Sequence, residues 1–462
     1  MVELFCRIPA GLCGAGYRVA LLGAAIVSVL VGGQNAQAQL TTKVLIDDSV
    51  SEIGNRYGDV DEAIKRFMNR DVLAARQFLE AAKKKDPTLP PVDLLLAKMY
   101  FLTGNAQAGR VSLEKTALDN PDDPEAYLIL ADQTMQQGRT IDADALYEKG
   151  LAMATKFNGN AKRKRNFEIR ARSGRAGVAQ RRKNWDTAIA DLQALLKVDP
   201  DNAGAHYRLG QTQFMKQQYK EGFNEFTAAK KADKNMPEPF VAAASMYDQL
   251  KIADKAQQAF DRALEANKTD ANTLTAYTQW LIKANTPESL TKAEALLAEA
   301  RKANPGNLNL LILSGVAARM QKKMKPSEDY FVEAHGISPG NGDVMNQLAL
   351  LLIEQSDQAK RDRAAQFATI SAQLNNQNSD AQITLAWVLY QLGRTGDAEA
   401  ALRSGLQLGN LSPDSSYLVA KMLVEQNRAD TAKQILQGAL DADNPGIFVF
   451  KKEAEALLKT LK

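Results

Sequence analysis

The sequence predicts an all-α protein, an α–α superhelix of eleven helix–turn–helix units that ends in a C-terminal capping helix. Three observations predict this fold: two series of small residues that run in phase along the chain, and an apolar pattern with helical spacing that accompanies them. A period of ~20–50 residues is typical of stacked repeats, in which each unit packs on its neighbours instead of around one central core.

The two series place small residues at regular intervals, most often 34 residues apart, and the second lies twelve residues before the first in most units. Small residues are needed where two helix backbones approach closely, because larger side chains would overpack the contact. Two series therefore predict two helices per unit. The first is Ala75, Gly109, Ala143, Ala188, Gly222, Ala256, Ala293, Ser327, Ala364, Ala398 and Ala432; the second is Ala63, Ala97, Ala131, Ala176, Gly210, Ala244, Thr278, Gly315, Ala349, Ala386 and Ala420.

The apolar pattern indicates that the later helix of each unit is amphipathic. In the fifth unit, Phe226 and Ala229 follow Gly222 by four and seven positions, which places all three on one helical face. The same spacing recurs in most of the other units. Gly104 and Gly138 fall between two predicted helices, where a tight turn is needed.

The segments PEAYLILADQTMQQGRTIDADALYEKGL (Pro124–Leu151) and AGAHYRLGQTQFMKQQYKEGFNEFTAAKK (Ala203–Lys231) resemble tetratricopeptide repeats, helix–turn–helix units of 34 residues. The resemblance extends over units 1–3 (56–157) and units 4–11 (169–446). It implies that the first helix of each unit lines an inner surface and the second helix an outer one. It does not identify a partner, because one fold serves many functions.

The N-terminal residues 1–38 have the composition of a secretory signal peptide. Arg7 and Arg18 precede an apolar run over residues 19–31, and a small-residue site follows with cleavage expected after Ala38. The alternative is an uncleaved membrane anchor, although the run is shorter than the ~20 residues of a spanning helix. We therefore expect an exported protein, in the periplasm or cell envelope of a bacterium.

Both cysteines, Cys6 and Cys13, lie in this leader, so the mature chain would have no disulfide and no thiol chemistry. Residues 39–55 form a polar lead-in to the repeats. Residues 447–462 have one apolar face and are interpreted as a capping helix, because terminal repeats need a polar outer face. A binding helix or a membrane-surface helix is the alternative for this segment.

The net charge of +4 is too small to indicate a nucleic-acid-binding protein. Positive charge is nevertheless concentrated between Lys156 and Lys183, a stretch that contains a basic insertion at 158–168. One interpretation is a solvated charged face. The other is contact with an anionic partner, such as an acidic protein, an acidic polysaccharide or an anionic membrane surface. The candidate residues for this contact are Lys162, Arg163, Lys164, Arg165, Arg170 and Arg181.

The sequence contains no recognisable catalytic constellation. His206 and His335 are the only histidines, they lie in different units, and no phosphate-binding, nucleophile or metalloprotease motif is present. We therefore predict no enzymatic activity, no catalytic residue, no cofactor and no metal site.

Mapped through the resemblance, several aromatic residues and one methionine fall on the inner surface, where such side chains suit partner anchoring. The alternative is that they pack against the adjacent unit. The family's Lys/Asn clamp for a terminal carboxylate is not reproduced, because the equivalent positions include Leu94, Leu128 and Gly177. The candidate partner-binding residues are Phe101, Tyr207, Phe214, Met215, Trp387, Tyr390 and Tyr417.

These observations predict an exported, non-enzymatic scaffold that binds a protein or peptide in its groove and assists envelope assembly or secretion. The alternative is a periplasmic structural subunit of an apparatus for polysaccharide synthesis or export. That alternative would assign the basic stretch to an acidic glycan or to the membrane surface.

Overall fold

A computed structural model describes residues 40–46, 57–442 and 446–461 of the chain. Over these residues the secondary structure consists of 24 α-helices, with no strand. The predicted all-α fold is therefore confirmed. The predicted signal peptide and most of the polar lead-in lie outside the described residues. The chain divides into two compact units, unit 1 up to Ile252 and unit 2 from Ala253.

Unit 1 contains a short helix followed by eleven longer ones that alternate as first and second helices of successive repeats. The bounds are α1 (Thr42–Ile46), α2 (Gly58–Met68), α3 (Val72–Lys85), α4 (Val92–Leu102), α5 (Ala106–Asp119), α6 (Pro124–Gln136), α7 (Thr140–Lys156), α8 (Ala161–Arg181), α9 (Trp185–Val198), α10 (Ala203–Met215), α11 (Tyr219–Ala232) and α12 (Pro239–Gln249).

Unit 2 begins with one second helix, continues with five further pairs and ends with a single helix. The bounds are α13 (Ala253–Ala266), α14 (Ala271–Ala284), α15 (Pro287–Ala303), α16 (Leu308–Met320), α17 (Met324–Ile337), α18 (Gly342–Ile353), α19 (Gln358–Leu374), α20 (Ser379–Gln391), α21 (Thr395–Leu408), α22 (Pro413–Glu425), α23 (Ala429–Leu440) and α24 (Lys451–Thr460).

The small residues of both series are buried in every repeat. Their role is clearest between α10 and α11, where a Cβ atom built on Gly222 would lie 2.8 Å from the carbonyl oxygen of Gly210. In the eighth repeat, the Ser327 hydroxyl donates a 2.8 Å hydrogen bond to the carbonyl oxygen of Gly315. The two series therefore mark the helix crossings within the pairs, as the sequence predicts.

Most turns between paired helices contain one residue in the left-handed backbone region. Gly104 and Gly138 occupy this position with φ of +82° and +77°. Arg70, Lys183 and Gln217 adopt the same conformation without being glycine. This costs such residues roughly 1 kcal/mol. A glycine is therefore a sufficient but not a necessary sequence signal for this turn.

Helix α8 is the longest helix of the described chain, with 21 residues. It begins where the Asn160 side chain accepts hydrogen bonds from the backbone N–H groups of Lys162 and Arg163. The basic insertion therefore extends the first helix of the fourth repeat instead of forming a separate loop.

The two ends of the described chain are covered by short helices. Within the predicted polar lead-in, α1 packs Leu45 and Ile46 into a cluster with Tyr57 and Val60 of the first repeat. At the other end, α24 buries Ala454 against the last repeats, and Leu457 packs at the edge of that cluster. Apolar contacts thus attach both short helices to the repeats.

Candidate functional site

The inner surface of unit 2 is built by first helices whose starts are fixed by side-chain caps. Asn378 accepts a 3.1 Å hydrogen bond from the backbone N–H of Ala381 at the start of α20. At the start of α22, Ser412 accepts a 3.1 Å bond from the N–H of Ser415. Each cap satisfies a backbone donor that the first helical turn leaves unpaired. Both helices therefore begin at a defined residue.

Three predicted partner-binding residues come together on α20 and α22, and we call Trp387, Tyr390, Tyr417 and Lys421 the inner aromatic cluster. The rings of Trp387 and Tyr390 are stacked, with centroids 6.3 Å apart. The Lys421 ammonium nitrogen lies 4.7 Å from the Trp387 ring centroid and 5.8 Å from that of Tyr417. A cation over aromatic faces is attracted by the ring quadrupole. The two helices thus form one continuous surface.

The exposure of these side chains differs. Trp387 is 6% exposed and Tyr417 is 8% exposed, whereas Tyr390 is partly exposed. The Tyr390 hydroxyl donates a 2.5 Å hydrogen bond to Glu425, and this bond raises the pKa of Tyr390. Burial, together with the negative charges of Glu453 and Glu354, raises the pKa of Tyr417 to about 12. Both phenols therefore remain protonated and uncharged at neutral pH.

A short segment before α24 lies against the same surface. The Phe450 ring stacks on Tyr417, with centroids 5.1 Å apart and an angle of 29° between the rings. The Phe450 ring also contacts the Arg319 guanidinium of α16, which lies 4.9 Å from the ring centroid. Arg319 itself donates a 2.8 Å hydrogen bond to Glu354, the residue that directly follows α18.

Asp414, in the first turn of α22, binds the main chain of this segment. It accepts a 3.0 Å hydrogen bond from the backbone N–H of Phe450. Burial raises the pKa of Asp414 to about 6, and this effect exceeds the opposing influence of the backbone N–H groups and of Arg319. The carboxylate is therefore a desolvated acceptor whose protonation changes in the physiological range.

Two of the four predicted partner-binding residues of unit 1 are interior. Phe214 is 1% exposed and packs with Phe226 and Tyr247 at centroid distances of 5.4 and 5.3 Å. Phe101 is buried in the cluster between α4, α5 and α6. Tyr207 and Met215 are half-buried at the edge of the Phe214 cluster. Of these four residues, only Tyr207 and Met215 present surface to a partner.

Arg163, predicted to contact an anionic partner, is buried and paired within the chain. Its Nη2 atom donates hydrogen bonds of 2.8 Å to Glu125 and 3.0 Å to Asp123, and Lys98 forms a further ion pair with Glu125. Burial opposes ionisation of Glu125, but the charges of Lys98 and Arg163 lower its pKa to about 2. The prediction of an anionic-partner contact is therefore corrected for Arg163, whose charge is neutralised by this buried network.

The other predicted basic residues on α8 also have contacts within the chain. Arg165 forms an ion pair of 2.7 Å with Asp199, and the Arg170 Nε donates a 2.8 Å hydrogen bond to Asp132. Further along the helix, Arg172 and Arg175 lie 3.9 and 3.5 Å from Asp191. Arg181 and Lys164 donate to the carbonyl oxygens of Met135 and Thr155, respectively, and Lys162 is exposed on the same helix.

Four residues of the unit 2 site were not predicted from sequence: Arg319, Asp414, Glu425 and Phe450. Their contacts join helices from different repeats, and no local pattern links them. The apolar run Ile447–Phe450 is the only sequence feature that indicates a buried role for Phe450, and it was interpreted as part of the capping helix.

Among residues 40–46, 57–442 and 446–461, no cluster of His, Cys, Asp or Glu could hold a metal ion. In the same part of the chain, no helix combines the length and apolar character needed to cross a bilayer.

Paired helices that repeat along the chain define a helical-repeat protein. Residues 181–217 match a family model described as "TPR repeat", and residues 383–447 match one described as "Tetratricopeptide repeat". These two segments of the chain are therefore tetratricopeptide repeats. No curated protein matches the sequence.

Three solved structures are similar to the chain at low sequence identity. Yeast Tom70 is 15% identical, over 88% of this chain and 95% of Tom70, with a TM-score of 0.39. PilW, a type IV pilus biogenesis factor, is 17% identical, over 48% of this chain and 98% of PilW, with a TM-score of 0.37. YrrB, described as having an unusual peptide-binding site, is 19% identical, over 43% of this chain and 98% of YrrB, with a TM-score of 0.28.

Proposed function

We propose that this protein is a non-enzymatic scaffold that binds a protein or peptide partner on the surface formed by its first helices. The observation that carries the proposal is the inner aromatic cluster, in which the stacked rings of Trp387 and Tyr390 on α20 lie beside Lys421 of the next first helix, α22. Rigid aromatic side chains in desolvated surroundings supply much of the binding energy of protein interfaces. Tyr390 and Lys421 are the members with most surface available to a partner.

A site-specific photo-crosslinker tests this proposal. The crosslinking amino acid p-benzoylphenylalanine would replace Tyr390, on first helix α20, in the full-length protein expressed in its own cells. The matched control replaces Tyr330, which is partly exposed on second helix α17. We expect a discrete crosslinked protein at position 390 and none at position 330. Equal crosslinking at both positions would contradict binding on the first-helix surface.

We also propose that the protein works in the cell envelope, to assist assembly or secretion. The support is the order of basic residues, apolar run and small-residue site in residues 1–38. The mass of the native protein decides this point. Cleavage after Ala38 gives a chain that begins at Gln39, whereas a full-length cytoplasmic product would contradict export.

The alternative of a polysaccharide-associated subunit would require the basic residues of α8 to face an acidic glycan. Arg163 and Arg170 are instead engaged by acidic residues of α6 and its N-terminal flank, and Arg165 pairs with Asp199. These ion pairs neutralise the positive charges of the three arginines within the chain. We therefore favour the protein-binding scaffold.

A further inference from the structure

The C-terminal segment Gly446–Leu461 extends beyond the contacts that an end cap requires. A cap needs to cover the last pair, and α24 does pack against α22 and α23. Phe450 additionally reaches Arg319, which belongs to α16, three repeats earlier in the chain. The segment therefore lies along the inner surface of several first helices.

The Phe450 ring is recognised by groups that bind the face of an aromatic ring. The Arg319 guanidinium lies 4.9 Å from its centroid, and the Tyr417 ring stacks at 5.1 Å. Arg319 is 3% exposed at its side chain and is fixed by hydrogen bonds to Gln347 of α18 and to Glu354, which directly follows that helix. A guanidinium that is already fixed beside a ring gains cation–π attraction at little entropic cost.

The main chain and a second aromatic residue are recognised as well. Asp414 accepts a hydrogen bond from the Phe450 backbone N–H at 3.0 Å, and the Val449 N–H also stabilises its carboxylate. Phe448, two residues earlier, is 4% exposed in the same hydrophobic cluster as Trp387 and Leu418. Main-chain hydrogen bonds combined with alternate buried side chains are a general mode of peptide recognition.

We propose that this surface of unit 2 is a binding site for a partner segment with two aromatic residues separated by one residue. Phe448–Phe450 occupies the site in the isolated chain as an internal competitor. The inference rests on the proposed scaffold function and specifies its ligand. When a site is partly occupied by the chain itself, only the open molecules bind an external ligand. The apparent dissociation constant is then the intrinsic one divided by the fraction of open molecules.

A labelled peptide with the sequence of residues 446–461 is the direct probe, and its binding is measured by fluorescence anisotropy. The full-length wild type is compared with Phe450→Ala, which removes the competing ring from a half-buried position. We expect the variant to bind the peptide roughly tenfold more tightly than the wild type. A control peptide with alanine at both phenylalanine positions should bind neither protein measurably.

Leu406→Ala is the matched control variant, because Leu406 is an exposed apolar residue on second helix α21. It should bind the peptide with wild-type affinity. Equal affinities of wild type and Phe450→Ala would overturn the proposal, as would binding that does not require the two phenylalanines.

A measurement on the wild type covers the case in which Phe450→Ala fails to fold. Excess isotopically heavy peptide is added to the wild-type chain, and hydrogen exchange of the chain's own Phe448–Phe450 amides is followed by mass spectrometry. Faster exchange of these amides supports displacement of the segment. Unchanged exchange at a peptide concentration that saturates binding contradicts it.

The outcomes separate this inference from the proposed function. Peptide binding to the opened site without any crosslink at Tyr390 would support the site and contradict the scaffold function. Crosslinked partners whose yield is the same in wild type and Phe450→Ala, and is unaffected by the peptide, would support the scaffold and contradict the internal competitor.

Discussion

Arg163 on α8 donates a 2.8 Å hydrogen bond to Glu125 on α6, a residue 38 positions earlier in the chain. Lys98 on α4 contacts the same carboxylate, so one buried acid links the first helices of three consecutive repeats. Removing one member of a buried ion pair leaves the other charges desolvated without compensation, which is more costly than losing the attraction itself.

Glu125→Gln should therefore strongly destabilise unit 1. We expect a loss of ~3–5 kcal/mol in the free energy of unfolding, because Lys98 and Arg163 stay buried with only Asp123 as counter-charge. Urea denaturation at neutral pH measures the effect. Glu114→Gln is the control: its pair with Arg110 is exposed, and we expect ~0.2–1 kcal/mol. Similar losses for both variants would contradict the buried network.

Asp414 should make the stability of unit 2 depend on pH. Its pKa rises from 3.8 to about 6 on folding, so the folded state holds the proton more tightly than the unfolded chain. Protonation of Asp414 therefore adds to the free energy of unfolding below about pH 4, and this stabilisation is lost as pH rises through 6. The stabilisation is at most about 3 kcal/mol. Arg319 and Asp380 are the charged groups that face this carboxylate.

Asp414→Asn should reduce this pH dependence between pH 4 and 7, because asparagine keeps an acceptor oxygen for the Phe450 N–H but does not titrate. Thermal unfolding midpoints across that range measure it. Asp430→Asn, at an exposed position in the first turn of α23, should leave the wild-type profile unchanged. An identical profile for Asp414→Asn and wild type would show that another group titrates.

Two glycine-to-alanine substitutions should have opposite effects on stability. A Cβ at Gly222 would lie 2.8 Å from the Gly210 carbonyl oxygen and 2.5 Å from the Phe214 ring, so Gly222→Ala should cost ~1–3 kcal/mol. Gly438, inside α23, has no atom within 4 Å of such a Cβ. Gly438→Ala should therefore stabilise by up to ~1 kcal/mol through helix propensity. Thermal denaturation distinguishes the two signs, and a stabilised Gly222→Ala would refute the close crossing.

Trp387→Ala should destabilise unit 2 by ~3–5 kcal/mol, because the ring is 6% exposed in the hydrophobic cluster of the last repeats. The sequence alone favours a different outcome, weakened partner binding with nearly intact stability, because it places this residue on an open groove. Trp185→Ala, at a partly exposed position that begins α9, is the control and should cost much less. Denaturant unfolding with intrinsic fluorescence compares them.

The fold was predictable because the small residues mark helix crossings that recur at nearly constant spacing. Such a spacing can be read directly from the sequence. Trp387 and Tyr390 were correctly placed as neighbours because they lie on one helix face. The burial of Trp387 was not predictable, since it depends on Lys421 and Tyr417 from the next first helix. Likewise, the charge of Arg163 gave no indication that its partners lie on and beside α6.

The position of Phe450 also has a consequence for the order in which the molecule is made. A ribosome synthesises α16, α18, α20 and α22 before it reaches residues 448–450. The surface that these helices form is therefore complete in sequence while its own aromatic segment is still missing. On the proposal above, a chain that still lacks residues 448–450 would bind an aromatic peptide on this surface without internal competition.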